Sequence, residues 1–392
     1  MHPELEAALG WLGERGPDME RLLSEWVEVS SHTPDKAGCD EVATQIAAAA
    51  RALGGGELDS SLSLSASGRY GHHVVMSTRA GREGGAVLLL GHHDTVFPRA
   101  SFSGFREEGA LLRGPGVLDM KGGLVVIAFA LGALAQAGAL ARIPVRVVSV
   151  SDEEVGSPEG KALVLDAARG ATCALVFESG RDGDAIITRR KGTGGLTVTA
   201  RGKAAHAGNL HHEGKNAIWA LARFIDRAQA LTDYDRGVTV NVGKISGGIG
   251  KNTVPDEAQA LVDFRFIDAA AGEAVAAALT RAAEEAAASV PGTTIHLEGG
   301  ISRAPLVRTE ASAQLRADYA ACARQEGLGD GESPLLGGGS DANTAASAGL
   351  AAIDGLGPRG KGFHTTDEYI ERASLVPKAR ALTRFLFSRA VG

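Results

Sequence analysis

Ala86-Val87-Leu88-Leu89-Leu90-Gly91-His92-His93-Asp94 is an unbroken apolar run that ends on a glycine and three ionisable side chains. A short run of this kind, bounded by a turn residue and followed by polar groups, reads as a buried strand whose carboxyl end opens onto a site. The pattern recurs. Val145-Arg146-Val147-Val148-Ser149-Val150 leads to Glu153-Glu154, and Cys173-Ala174-Leu175-Val176-Phe177 leads to Glu178. Helical patterns such as Gly122 to Ala137 alternate with these runs, so a largely parallel α/β sheet is expected, with its ligands at the carboxyl ends of its strands. Asp119 and His364 complete a set of acids and histidines that looks like one two-metal site.

Outward from this stretch, helical patterns cover Glu4 to Glu14, Asp18 to Glu28 and Asp40 to Leu53. After Lys191 the texture changes. Leu196 to Ala200, Val238 to Val242 and Ala258 to Phe266 alternate as half-buried strands do, while Asn216 to Ala230 and Ala270 to Ala288 are helical. Two helices on a four-stranded antiparallel sheet is the economical reading of this block. From Ile301 the α/β texture returns and ends in a helix near Leu375 to Arg389. The expected organisation is a catalytic α/β domain of residues 1–190 plus 301–392, with an α+β domain of residues 191–300 inserted into it.

A chain of 392 residues is long enough for two cores, and 44% hydrophobic with 22% charged residues is an ordinary globular composition. The net charge is −7 without a dense basic run, so neither nucleic acid nor an anionic membrane is an expected partner. The N-terminus carries no basic segment followed by an apolar one. No uncharged apolar run reaches the roughly 18 to 20 residues of a membrane span. A cytoplasmic location is therefore expected. Cys39, Cys173 and Cys322 are far apart, and no CxxC pair is present, which argues against a disulfide framework or a thiolate metal site.

Histidine and carboxylate ligands without cysteine suit Zn²⁺, with Co²⁺ or Mn²⁺ as substitutes. A carboxylate can bridge two ions roughly 3.5 to 4 Å apart, which together acidify a water and polarise a carbonyl. A neighbouring carboxylate must still accept the proton. The adjacent pair Glu153-Glu154 can divide that labour, one ligating and one shuttling. Taken singly, each residue also has a plainer reading. Asp119 could cap the helix that follows, Glu153-Glu154 could be a solvated turn, Glu178 a strand-end acid, His206 a structural histidine and Arg265 half of a surface ion pair. His93 is expected to point away from the metals, and His211 and His212 are read as solvated loop residues.

Six segments in register resemble the M20 family of metallopeptidases, in particular its glutamate carboxypeptidase (carboxypeptidase G2-like) branch. They are Gly91-His92-His93-Asp94-Thr95-Val96, Gly114 to Gly123 around Leu118-Asp119-Met120, Asp152-Glu153-Glu154-Val155-Gly156-Ser157, Phe177-Glu178, Gly202-Lys203-Ala204-Ala205-His206-Ala207-Gly208 and Gly362-Phe363-His364. The resemblance implies that His92 and Glu178 hold one metal, Glu154 and His364 the other, and that Asp119 bridges them. It implies that Asp94 orients His92 and that Glu153 is the general base and acid. It also implies a cis Asp119–Met120 peptide, and a homodimer formed through the inserted domain, in which His206 of the partner subunit stabilises the oxyanion. Asn252, Arg265 and Arg303 match positions that hold the substrate's free carboxylate. Arginine suits this task because its planar fork grips a carboxylate bidentately. Gly338 and Ser340 match a Gly-rich loop lining the site.

Two other chemistries fail on spacing. Gly250-Lys251-Asn252-Thr253 lacks the Ser or Thr after the lysine and has Ile245 where a phosphate loop needs glycine. Ser179 and Ser340 lack the G-x-S-x-G elbow of a serine nucleophile. The sequence therefore reads as a hydrolase carrying two Zn²⁺ per chain. It is expected to cleave the amide bond of an N-acyl or peptidyl amino acid and release the C-terminal residue, glutamate foremost. An N-acyl amino acid deacylase, of acetylornithine deacetylase or aminoacylase type, is the alternative within the same chemistry. A catalytically silent metal-binding scaffold is the alternative outside it.

Overall fold

The computed structural model describes residues 2–391. Backbone packing separates a larger unit, formed by residues up to 189 with 307–335 and everything from 340, from an inserted unit of Arg190–Leu306 with Leu336–Gly339.

The larger unit is built on a six-stranded sheet. In chain order its strands are β1 (Leu58–Ser63), β2 (His73–Thr78), β3 (Ala86–His92), β4 (Val145–Val150) and β5 (Ala171–Val176), with a short last strand at Ala352–Ile353. Their spatial order is β1-β2-β4-β3-β5 and then Ala352–Ile353. β3 lies between β4 and β5 and runs parallel to both. β2 is antiparallel to β4 and β1 to β2, so the sheet is parallel except at that edge. Every residue of β3 is buried, as its uninterrupted apolar run requires of a strand covered on both faces. Burying each of Leu88, Leu89 and Leu90 contributes about 1.5–3 kcal/mol.

Three helices of this unit, α1 (Pro3–Gly13), α2 (Lys36–Gly54) and α3 (Gly122–Gln136), share the core under the sheet with the terminal helix Leu375–Val391. α3 is apolar all round, which suits a helix enclosed by neighbours. With the turn before it, Val117–Gln136 is long and apolar enough to cross a membrane, yet 89% of that window is buried inside the chain itself. It contains Asp119 and Lys121, which interrupt the apolar run. Gly123 fixes where α3 begins, because a Cβ there would lie 2.1 Å from the Phe177 carbonyl oxygen. The helix start is thereby pressed against the strand end that carries Glu178. A second, four-stranded sheet of two- and three-residue strands (Arg106–Glu108, Leu111–Arg113, Gly360–Lys361, Tyr369–Glu371) was not foreseen, since strands so short show no period.

The inserted unit has a four-stranded antiparallel sheet of β6 (Gly192–Arg201), β7 (Thr239–Gly247), β8 (Glu257–Phe266) and β9 (Thr294–Arg303), in the order β7-β8-β6-β9. Along β8 alternate residues are buried, and Phe264 and Phe266 pack with α4 (Ala217–Gln229) and α5 (Ala269–Ser289) over one face. Asn216 caps α4 by accepting from Trp219 N at 2.8 Å, and Asp268 caps α5 by accepting from Ala271 N at 2.8 Å. The continuous part of this unit runs to Leu306, so a boundary placed after residue 300 cuts through β9. Gly299 and Gly300, with φ values of 111° and 148°, belong to this strand, whose register turns irregular between Ile301 and Arg303.

Candidate metal centre

The carboxyl ends of β3, β4 and β5 meet on one edge of the central sheet. β3 ends on His92, the short helical turn Glu153–Val155 follows β4, and Glu178 follows β5. Asp119 arrives on the turn Val117–Lys121, immediately before α3, and its peptide bond to Met120 is cis. His364 comes from the segment between Gly360–Lys361 and Tyr369–Glu371, with φ at 62°.

Two groups of candidate ligands share one residue. His92, Asp119 and Glu178 form the first, and Asp119, Glu154 and His364 the second, each with ligand atoms within 4.8 Å of one another. The two oxygens of Asp119 are divided between them: Oδ1 lies 3.1 Å from His92 Nε2, and Oδ2 lies 3.3 Å from His364 Nε2. His92 Nε2 is 3.7 Å from Glu178 Oε1, and His364 Nε2 is 3.1 Å from Glu154 Oε2. The other oxygen of Glu154, Oε1, is buried and has no hydrogen-bond partner. A buried carboxylate oxygen without a donor is costly unless a cation faces it. The donor set of imidazoles and carboxylates fits a pair of divalent ions with Asp119 between them.

Proton affinities report the same excess of negative charge. Burial disfavours a charged ring at His92, yet hydrogen bonds to Asp119 and Asp94 outweigh it and hold the imidazole well above its ordinary range. Hydrogen bonds to Asp119 and Glu154 raise His364 to about 10. Burial raises Glu154, and burial together with the charge of Asp119 raises Glu178 well above the carboxylate range. Burial pushes Asp119 up as well, but the two rings overcome it and hold that carboxyl far below its usual range. These rings stand in for cations.

Asp94 holds this arrangement together. His92 Nδ1 lies 3.0 Å from the Asp94 carbonyl oxygen and donates to it, which turns Nε2 toward Asp119 and Glu178. The Asp94 carboxylate accepts from the backbone N–H groups of Glu153 and Glu154 at 3.2 Å each, and from Thr33 Oγ1 at 2.8 Å. The same carboxylate therefore fixes the turn that presents both glutamates. His93 faces elsewhere: its ring accepts from Ser149 Oγ at 2.8 Å and donates to the His72 carbonyl at 3.1 Å, and burial lowers it to about 3, so it stays neutral.

Two further residues shape the centre and escaped the sequence reading. Glu368 is fully buried, and its carboxylate accepts from the backbone N–H groups of Gly116, Leu118 and Asp119 at 3.3, 2.8 and 3.0 Å. Lys121, also fully buried, donates from Nζ to the carbonyls of Trp26 and Val29 at 2.9 and 3.0 Å. Between them they clamp the turn that carries Asp119. The partners of Glu368 are backbone groups 249 to 252 residues earlier, for which no local pattern exists.

The remaining candidates fall into separate places. In the inserted unit, His206 pairs with Thr253 on the ribbon Ala205–His206/Thr253–Val254, and the Asn252 carbonyl accepts from Ala207 N at 2.9 Å, so His206 and Asn252 are neighbours and both are exposed. His206 Nδ1 accepts from the N–H groups of Gly208 and Asn209 at 3.2 and 3.1 Å. Arg265 and Arg303 flank Thr193, one on each side, in the neighbouring strands β8 and β9. Asp263 grips Arg265 bidentately at 2.8 and 2.7 Å, which is the ion pair of the plainer reading. The Gly338 carbonyl accepts from Arg190 Nη1 at 3.1 Å. Ser340, in the larger unit, caps the helix Asp341–Ser347 and donates from Oγ to Asp354 Oδ2 at 2.6 Å, so its hydroxyl is committed to structure.

Residues 188–291 match the peptidase dimerisation domain of the M20 type. The chain is 31% identical over 329 residues to an acetylornithine deacetylase of Myxococcus xanthus, covering 79% of this chain and 82% of that protein. It is 28% identical over 383 residues to carboxypeptidase G2 of a Pseudomonas species, covering 96% and 90%. Its backbone is similar to that of an M20 family metallo-carboxypeptidase from Sulfolobus solfataricus, with a TM-score of 0.75, 18% identity, and 96% and 100% of the two chains covered.

Proposed function

The chain belongs to the M20 family of metallopeptidases, hydrolases of peptide and amide bonds, and from this premise we propose that it is a dinuclear zinc hydrolase releasing the C-terminal amino acid, glutamate foremost, from an N-acyl or peptidyl substrate. The observation that carries the reading is Asp119, whose two oxygens face different histidines, each with its own further glutamate.

In this reading His92, Glu178 and Asp119 hold one ion, and Glu154, His364 and Asp119 the other. When bound, the ions lower the pKa of a water and polarise the scissile carbonyl. The Glu153 carboxylate takes the proton of the attacking water and delivers it to the leaving nitrogen as the C–N bond breaks, so amide and water become carboxylate and amine. Asp94 aims Glu153 through its backbone N–H. His206 of the partner subunit stabilises the oxyanion in a homodimer built through the inserted unit. Asn252, Arg265 and Arg303 bind the free carboxylate of the departing amino acid, and at Arg265 that carboxylate competes with Asp263 for the guanidinium fork.

The similarity to the deacetylase favours a second reading, deacylation of an N-acetyl amino acid by the same steps. Mass spectrometry of amino acid release from N-acyl and dipeptide substrates with varied C-terminal residues, run with Zn²⁺ and with chelator, separates the two. Zinc-dependent release of glutamate from varied acyl groups is the expected result. Release confined to acetylated substrates establishes the second reading, and no release from any substrate overturns both.

A further inference from the structure

The turn that presents Glu153 and Glu154 has two ends, and Asp94 holds the first of them through the backbone N–H groups of the two glutamates. The chain leaves the turn through two consecutive left-handed residues, Gly156 with φ at 93° and Ser157 with φ at 52°. Glycine takes that conformation freely, whereas a serine is strained in it and stays there only where its surroundings fix it. Ser157 is fixed. It is fully buried, its N–H donates to the Asp152 carbonyl at 2.8 Å, and its Oγ donates to Asp341 Oδ1 at 2.9 Å, 184 residues further along the chain.

Asp341 is buried and comes from a rigid support. It is the first residue of the helix Asp341–Ser347, which Ser340 caps by accepting from Ala342 N at 3.2 Å, and Asn343 Oδ1 accepts from Ser340 N at 3.0 Å to complete the reciprocal cap. The hydrogen bond from Ser340 Oγ to Asp354 then ties that cap to the rest of the larger unit. The turn is therefore suspended between two buried aspartates, Asp94 at its entry and Asp341 at its exit. A bound ion would hold Glu154 by its own ligand oxygen. Glu153 is not a ligand in this reading and takes its aim from the backbone between the two anchors, so loosening the exit acts on proton transfer more than on metal binding.

We propose that Asp341, acting through the Ser157 hydroxyl, is a positioning residue for Glu153 and sets the carboxylate that carries the proton without itself holding metal or substrate. This assignment rests on the amide hydrolase reading given above. The test uses the metal-loaded protein as wild type, Ser157→Ala, Asp341→Ala, Asp341→Asn and the double variant Ser157→Ala/Asp341→Ala, with zinc content and the urea midpoint measured beside kcat and KM. Each alanine variant is expected to lose about tenfold in kcat, the worth of one hydrogen bond to a charged group, with KM and zinc content unchanged. The double variant should lose no more than the worse single one, since both changes remove the same contact. Asp341→Asn still offers Oδ1 to the Ser157 hydroxyl and should keep more of kcat than Asp341→Ala. Ser157→Ala removes a single oxygen, so it carries the test even where Asp341→Ala does not fold. An unchanged kcat in Ser157→Ala, losses that multiply in the double variant, or a loss of zinc that accounts for the loss of kcat overturns this inference and leaves the hydrolase reading standing. A wild type that hydrolyses no amide substrate removes the hydrolase reading and this inference with it.

Discussion

Asp94 and Glu153 sit in the same small network, yet their removal should separate metal binding from turnover. The Asp94 carboxylate accepts three hydrogen bonds, two of them from the backbone of the turn that carries Glu153 and Glu154. Asp94→Asn turns one acceptor into an amide donor aimed at other donors, and it removes the carboxylate charge that lies 3.4 Å from His92 Nδ1. Metal affinity should fall by about 10- to 100-fold, read by competition against a chromophoric chelator. Glu153→Gln keeps the shape and leaves the ligand set intact. Its turnover should vanish while bound zinc, measured by atomic emission, stays at the wild-type level; loss of zinc would exchange the roles of Glu153 and Glu154. Glu368 offers a third case. Alanine there removes the acceptor of three backbone N–H groups around Asp119, so metal content should fall although Glu368 is not itself a ligand.

At the scale of elements, a buried acid helps tie the terminal helix Leu375–Val391 to the rest of the larger unit. Asp184, 5% exposed, meets Lys378 Nζ at 3.1 Å and Arg359 Nη1 at 2.8 Å, and accepts from Gly329 N at 3.1 Å. Burial raises this carboxyl, but Lys378, the Gly329 N–H and Arg359 together hold it below the usual range. A depressed folded-state pKa gives stability that is complete above the unfolded value of about 3.9 and is lost as pH falls through the lower folded value. Asp184→Asn leaves Lys378 buried beside Arg359 and should cost about 3 kcal/mol near pH 7. In urea unfolding, that difference should begin to shrink below about pH 4, where the unfolded chain takes up the proton, and should vanish only below the lower folded value. A penalty independent of pH would mean that Asp184 acts through shape alone. Elements of this kind divide sharply in legibility. β3, β4 and β5 were readable because five or six consecutive residues carry the signal and because each is followed at once by its ligand. Asp184, Glu368 and Lys121 were not, since each is an ordinary charged residue until the fold brings its partners to it. The return of Leu336–Gly339 to the inserted unit was hidden for the same reason: three glycines mark a turn but not its destination.

At the scale of the whole molecule, the inserted unit poses a problem of reach. Arg265 and Arg303 flank Thr193 near the start of β6, whereas the ribbon bearing His206 and Asn252 follows the other end of that strand, beyond Arg201. Thr193 and Arg201 are eight residues apart, about 26 Å along an extended strand. An N-acyl amino acid is far shorter than that, so these four residues of one chain do not all serve one substrate. If all four bind substrate, each site draws one pair from its own chain and the other from a second copy, which is why the proposed homodimer is a requirement of the chemistry and not only of packing. Mixing His206→Ala protein with Glu153→Gln protein tests this directly. Each homodimer should be nearly inactive. After subunit exchange, the mixed dimer contains one site with an intact Glu153 and the partner's intact His206, so activity should return to at most about half of the wild-type rate per mixed dimer, a statistical limit set by one competent site in two. No recovery in dimers shown by mass to be mixed would place His206 in the same chain's site, and the distance along β6 would then require either Arg265 or His206 to give up its assigned contact with substrate.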